Sequence, residues 1–203
     1  MRKIFVAGIG TDIGKTVVSA ALVQALKADY WKPIQTGIDY DNDTEHVKKL
    51  VTNASTVFHK EAYALKASMA PYPAAKAENM RIDMDTIHVP ETLHTLIIEG
   101  AGGLLVPINK KDLMIDFIKK LDAEVILVVQ NYLGSINHTL LSVEALKSRN
   151  MRVLGIIISG VENAVSEEVI LQHSGLKLLG RIHREAGITP EIIKKYEAEF
   201  SSI

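Results

Sequence analysis

Short runs of consecutive apolar residues alternate along the chain with longer stretches whose apolar positions recur at helical spacing. Lys3–Gly8 (KIFVAG), Asp29–Pro33 (DYWKP), Leu93–Gly100 (LHTLIIEG), Glu124–Gln130 (EVILVVQ), Arg152–Ser159 (RVLGIIIS) and Leu176–Ile182 (LKLLGRI) read as strands. Several are apolar at successive rather than alternate positions, the pattern of strands buried on both faces of a parallel sheet. Gly14–Ala28, Lys111–Leu121, Ser135–Asn150 and Ser166–His173 read as helices. Thr189–Phe200 joins them, with a Thr cap and a Pro at the first helical position. Strand followed by helix, repeated, implies right-handed crossovers and a three-layer α/β/α architecture around a mainly parallel sheet. Residues 53–90 have the least clear pattern; Ala64–Met80, with two prolines, reads as an irregular loop with room for one helix. No internal repeat, low-complexity segment or linker divides the chain, so residues 1–203 are expected to form a single domain.

Composition narrows the partners. At 203 residues, 47% hydrophobic and 23% charged, the chain suits one soluble globular unit. A net charge of −1 supplies no general attraction to nucleic acid or to an anionic membrane, and neither partner is expected. Cysteine is absent, which excludes a disulfide framework and thiolate metal sites and fits a reducing compartment. The apolar run at the amino terminus is short and leads straight into glycines, unlike a signal peptide. No apolar stretch reaches the roughly 20 residues that span a bilayer. The expectation is a soluble, cytoplasmic protein.

The first strand runs into GIGTDIGKT, Gly8 to Thr16. Its Gly-Lys-Thr ending is that of a phosphate-binding loop, but the first glycine of Gly-x-x-x-x-Gly-Lys-[Ser/Thr] would fall at Ile9, between Gly8 and Gly10. At the carboxyl end of a parallel strand such a loop sits where ligands bind. Backbone N–H groups and the helix dipole favour a phosphate there. Lys15 can reach the outer phosphates, and the Thr16 hydroxyl can ligate Mg²⁺. The alternative is a glycine-rich helix start with an exposed lysine. A nicotinamide site fits poorly, because Gly-x-Gly-x-x-x-Gly is one residue too long and the second strand ends in Lys32-Pro33 where a ribose-binding acid belongs.

Three further segments point to the same crevice. LIIEGAGG, Leu96 to Gly103, ends a buried strand in an acid followed by glycines that let a ligand approach the backbone, making Glu99 a candidate Mg²⁺ ligand. WKPIQTG, Trp31 to Gly37, sets Lys32 at a strand edge before a rigid proline. DYDNDTEHVKKL offers Asp39, Asp41 and Asp43, of which Asp43 also reads as a helix cap. Mg²⁺ takes only one or two protein carboxylates, so the three aspartates cannot all be ligands.

Together GIGTDIGKT, WKPIQTG, IIEGAGG and LGSINHTLL resemble the dethiobiotin synthetases, in that family's order and over most of the chain through residue 160. The family is P-loop NTPase-like, and its loop carries an extra residue before Gly-Lys-Thr, which accounts for the spacing at Ile9. The resemblance implies a ligase, with Mg²⁺ as cofactor and ATP as co-substrate, that closes a ureido ring from 7,8-diaminopelargonate and CO₂. A carbamate and a carbamic–phosphoric anhydride are the implied intermediates. It implies Lys32 and Lys15 as catalytic groups, and Thr16, Asp43 and Glu99 around Mg²⁺, with Asp41 as a rival to Asp43. It places Asp12, Ile13, Gly14, Lys15, Thr16, Val17, Asp43, Glu99, Gly100, Ala101 and Gly102 at the nucleotide. Thr36 would contact the diamine. Gly134, Ser135 and Asn137 would form the substrate-carboxylate pocket at a helix start capped by Ser135, reached across a homodimer interface.

Departures and rivals are also legible. Where many members read the adenine edge with Asn-Asp, this chain has Ser159-Gly160, and RIHREAG (around His183 to Glu185) replaces a proline-containing loop; a relaxed nucleotide preference is the expectation. A non-catalytic ATP switch of the partition-ATPase type is the alternative function, although Ile9-Gly10-Thr11 lacks the early loop lysine of those proteins. An amidase of the cobyrinate type would need a cysteine nucleophile and a second domain. The seven histidines show no compact ligand pair for a metal hydrolase.

Overall fold

The computed structural model describes residues 1–203. In chain order the elements are β1 (Lys3–Gly8), α1 (Lys15–Leu26), β2 (Asp29–Trp31), β3 (Ile34–Thr36), α2 (Asp43–Leu50), β4 (Phe58–His59), β5 (Tyr63–Leu65) and α3 (Pro71–Ala77). A 3₁₀ turn at Met84–Thr86 precedes β6 (Leu96–Glu99), α4 (Met114–Leu121), β7 (Glu124–Gln130) and α5 (Ser135–Lys147). The chain ends with β8 (Val153–Gly160), α6 (Ala164–Ser174), β9 (Leu178–His183), α7 (Pro190–Lys195) and α8 (Glu197–Phe200).

Seven strands form one sheet in the order β4-β2-β6-β1-β7-β8-β9, and every pairing in it is parallel. The consecutive apolar runs have the reason their pattern implied. Along β1, Phe5 and Ala7 enter the core on one face while Ile4 and Val6 enter the core on the other. In β7, Val125, Leu127 and Val129 divide from Ile126 and Val128 in the same way. Both faces are covered, so each strand position is apolar, and each such side chain contributes about 1.5–3 kcal/mol by leaving water. Helix α1 is itself buried nearly all round, through Val18, Ala20, Ala21, Leu22 and Val23, because α2, α7 and α8 pack over it. No helix is long and apolar enough to cross a membrane.

The structure refines the sequence reading or departs from it in several places. Ile34–Thr36 and Tyr63–Leu65 pair as a separate two-stranded parallel sheet, each strand too short to show a period. The stretch Ala64–Met80 begins inside β5 and holds α3, the one helix the sequence reading left room for; Pro71 opens that helix and Pro73 falls within its first turn, where a missing N–H loses no intrahelical bond. The carboxyl-terminal helix breaks at Tyr196 into α7 and α8; the Tyr196 hydroxyl accepts from the His183 N–H and donates to Glu185, both at 3.0 Å. Helix α2 is capped by Asn42, whose side chain accepts from the Glu45 N–H at 3.2 Å, so Asp43 is its first residue rather than its cap.

Candidate active site

Three adjacent strands, β2, β6 and β1, deliver their carboxyl ends to one crevice. Register sets the level: Glu99 lies beside Val6, and Trp31 beside Ile98, so Lys32 arrives next to Glu99. The loop after β1 turns into α1 through Gly14, whose φ of 88° is left-handed. A Cβ at Gly14 would also collide with the Ser159 hydroxyl, so β8 braces this turn. Lys15 folds back over the loop, and its Nζ donates to the Gly10 carbonyl at 2.8 Å. Burial pulls the Lys15 ammonium down to about 8; Glu99 opposes this fall and Lys32 adds to it.

Thr16 joins the two acids. Its hydroxyl lies 2.7 Å from Asp43 Oδ1 and 3.0 Å from Glu99 Oε1. Lys32 Nζ sits between the same carboxylates, 2.5 Å from Asp43 Oδ2 and 2.9 Å from Glu99 Oε1. Burial works against the charge on Lys32, but Glu99 and Asp43 outweigh it and raise the ammonium above its ordinary value. Burial likewise pushes the Asp43 carboxyl up, and Lys32, Thr16 and Gln35 outweigh it and hold it low.

Two buried residues that the sequence did not single out complete the arrangement. Tyr30, fully buried on β2, donates its hydroxyl to Glu99 Oε2 at 2.9 Å. Gln35 on β3 accepts from the Asp43 N–H at 3.2 Å and donates to the Thr36 and Asp41 carbonyls at 2.8 and 3.1 Å. The spacing of Tyr30 two residues before Lys32 was a usable signal, since alternate strand positions share a face. Nothing local in the sequence marks Gln35.

A cavity of about 340 Å³ gathers most of the expected residues: Asp12, Ile13, Gly14, Lys15, Thr16, Val17, Lys32, Thr36, Asp43, Glu99, Ala101 and Gly102. Gly100 stands just behind its wall, where its carbonyl faces Lys32 at 3.4 Å and an added Cβ would meet the Phe5 ring at 2.7 Å. Asp41 reaches the rim but pairs with His46 at 2.5 Å and is largely exposed, so Asp43 is the aspartate brought to Thr16. Gly134 and Asn137 line a different cavity of about 810 Å³, with Tyr132, Leu133 and Val161, and do not meet the loop within this chain. Ser135 is buried and is not the cap of α5; Gly134 is, with a φ of 101°.

The donor set suits a hard cation. One hydroxyl and two carboxylates, all oxygen, face the cavity, and Mg²⁺ takes one or two protein carboxylates beside water and phosphate oxygens. No group of three or more His, Cys, Asp or Glu comes together as an all-protein cage.

A parallel sheet with a Gly-Lys-Thr loop at the end of its central strand, and acids on the neighbouring strand, defines a P-loop nucleotide-binding protein. The chain matches the family described as AAA domain over residues 2–192. It superposes on a ParA family ATPase from Chlorobium tepidum with a TM-score of 0.60, covering 97% of this chain and 98% of that one at 14% identity, a likeness of fold alone. It is 49% identical to the "ATP-dependent dethiobiotin synthetase BioD" of Christiangramia forsetii, over 98% of this chain and 96% of that protein. It is 48% identical to the protein of the same name from Cytophaga hutchinsonii, over 97% and 95%. The chain belongs to the dethiobiotin synthetase family.

Proposed function

We propose that this chain is an ATP-dependent dethiobiotin synthetase, acting on 7,8-diaminopelargonate and CO₂. The observation that carries the reading is the buried Lys32 ammonium, held between Asp43 and Glu99 in the same cavity as Lys15 and Thr16. An ATP switch needs the loop, lysine and threonine; a second buried cation facing the phosphoryl site suits an enzyme that must steady a second anionic reactant.

The chemistry asks for positioning and charge compensation rather than covalent help. One amine of the substrate takes up CO₂ as a carbamate. The carbamate oxygen attacks the γ-phosphorus, the bond to the bridging oxygen breaks, and ADP leaves. The second amine then attacks the carbonyl carbon of the carbamic–phosphoric anhydride. Phosphate departs, the amine proton is lost, and the ring closes. Lys15 and the loop N–H groups hold the phosphates. Lys32 compensates charge on the carbamate and the anhydride. Thr16, Asp43 and Glu99 would hold Mg²⁺, which supplies charge neutralisation across the phosphate oxygens. Thr36, on the cavity wall, would contact the diamine.

The separation of Gly134 and Asn137 from the loop cavity supports a homodimer in which a partner's turn receives the substrate carboxylate. We further propose that residues 1–203 act as one domain in the cytoplasm. The test supplies 7,8-diaminopelargonate, bicarbonate, Mg²⁺ and ATP, and follows phosphate release together with the mass of the product. Release that requires the diamine and yields the cyclic urea is expected. ATP hydrolysis indifferent to the diamine would instead indicate the switch.

A further inference from the structure

Glu99 uses its two oxygens differently. Oε1 meets the cavity-lining groups, Thr16 Oγ1 at 3.0 Å and Lys32 Nζ at 2.9 Å. Oε2 points into the protein and accepts from the Tyr30 hydroxyl at 2.9 Å. Tyr30 and Glu99 are both essentially excluded from water, at 0% and 1% exposure, so solvent cannot replace that bond. The phenol is held by its β2 backbone and by packing against the Phe58 ring, with centroids 6.2 Å apart.

We propose that Tyr30 is a positioning residue that sets the cation preference of this site by confining Glu99 to one oxygen. The proposal rests on the reading of Thr16, Asp43 and Glu99 as the cation donors. Mg²⁺ is small, demands near-ideal octahedral geometry and accepts single carboxylate oxygens. Ca²⁺ takes six to eight ligands and readily accepts both oxygens of one carboxylate. A tyrosine that holds Oε2 turned into the protein keeps the carboxylate from rotating to present both oxygens, which disfavours the larger ion. Phenylalanine at position 30 would keep the ring and free that oxygen.

The experiment titrates Mg²⁺ and Ca²⁺ into the full chain with ADP bound, by competition against Mn²⁺ followed by electron paramagnetic resonance. Tyr30→Phe is expected to move the ratio of Ca²⁺ to Mg²⁺ affinity about tenfold toward Ca²⁺, the size of one charge-assisted hydrogen bond. Phe58→Leu, which loosens the same packing but leaves the hydroxyl, is expected to lower thermal stability and leave the ratio unchanged. An unchanged ratio in Tyr30→Phe overturns the proposal. So does an equal shift in Phe58→Leu, or wild-type protein that binds none of the three cations. Because ADP complexes do not turn over, the result is independent of the diamine assay. Loss of diamine-dependent phosphate release would remove the synthetase reading and leave the cation ratio to decide this one.

Discussion

Replacing Lys32 with alanine separates the structural contribution of this ammonium from its proposed part in catalysis. In the folded protein it neutralises Asp43 and Glu99 at 2.5 and 2.9 Å, with the lysine side chain 5% exposed, Glu99 1% and Asp43 18%. Breaking a buried ion pair from one side costs about 3–5 kcal/mol. The partial exposure of Asp43 and the Thr16 hydroxyl shared by both acids move the expectation to the lower end. For a domain of this size, about 3 kcal/mol lowers Tm by roughly 6–12 °C. Lys32 is raised above its ordinary value, so its contribution is complete at pH values below 10.5 and is lost only as pH rises through the higher folded value. Melting at neutral pH therefore reads all of it. Two uncompensated carboxylates beside Thr16 then favour a divalent cation, so Mg²⁺ should restore more stability to Lys32→Ala than it adds to wild type. Turnover should fall by about 10²-fold or more, because a cation facing the developing charge is gone, while nucleotide binding through Lys15 persists. Differential scanning fluorimetry with and without Mg²⁺, nucleotide-binding calorimetry and the diamine-dependent phosphate assay read these effects. Normal turnover in Lys32→Ala would refute the catalytic argument. An unchanged Tm in both Mg²⁺ conditions would refute the electrostatic one.

Two further outcomes follow from the charged groups. Lys15 stands at about 8 in the free protein and must carry its proton to compensate a phosphate, so ATP affinity should fall roughly tenfold between about pH 7.5 and 9. Calorimetry in buffers of different ionisation enthalpy should then show proton uptake on binding, and constant affinity across this range would contradict the assignment. Away from the cavity, burial pushes the Glu167 carboxyl up, but Arg181, the Asn163 N–H and Asn131 outweigh it and hold it below 4.5. A depressed carboxyl contributes stability above 4.5 that is lost as pH falls through its folded value. Glu167→Gln should therefore melt lower than wild type at neutral pH, by about 1–3 kcal/mol in stability, with the gap closing in acid. A gap that persists unchanged into acid would show that the charge is not the cause.

Much of the architecture was legible because burial on both faces writes itself into consecutive residues. Glu124–Gln130 and Lys3–Gly8 have the same limits by pattern and in the structure. The strands β3, β4 and β5, of two or three residues each, carry no period and were not legible. The prolines of α3 resemble loop punctuation until their place in the first turn is known. At the site, Lys15, Thr16, Lys32 and Glu99 stood out because each closes a strand or opens a helix beside glycine or proline. Asp43 could not be told from Asp41, since both lie within reach of a helix start; the fold separates them by giving Asp41 to His46 and Asp43 to Thr16 and Lys32.

The sequence by itself determined the class of fold, the position of the phosphate loop and the chemical types gathered near it, because periodicity and turn chemistry are local and act between neighbours. Only the tertiary structure decided which oxygen of Glu99 faces the cavity, which aspartate joins Thr16, and that Tyr30 and Gln35 hold the two acids. Those outcomes depend on the order β2-β6-β1 and on strand register. The fold brings residues 16, 32, 43 and 99 within hydrogen-bond reach although 83 positions separate the first from the last, and no local pattern encodes a distance of that kind.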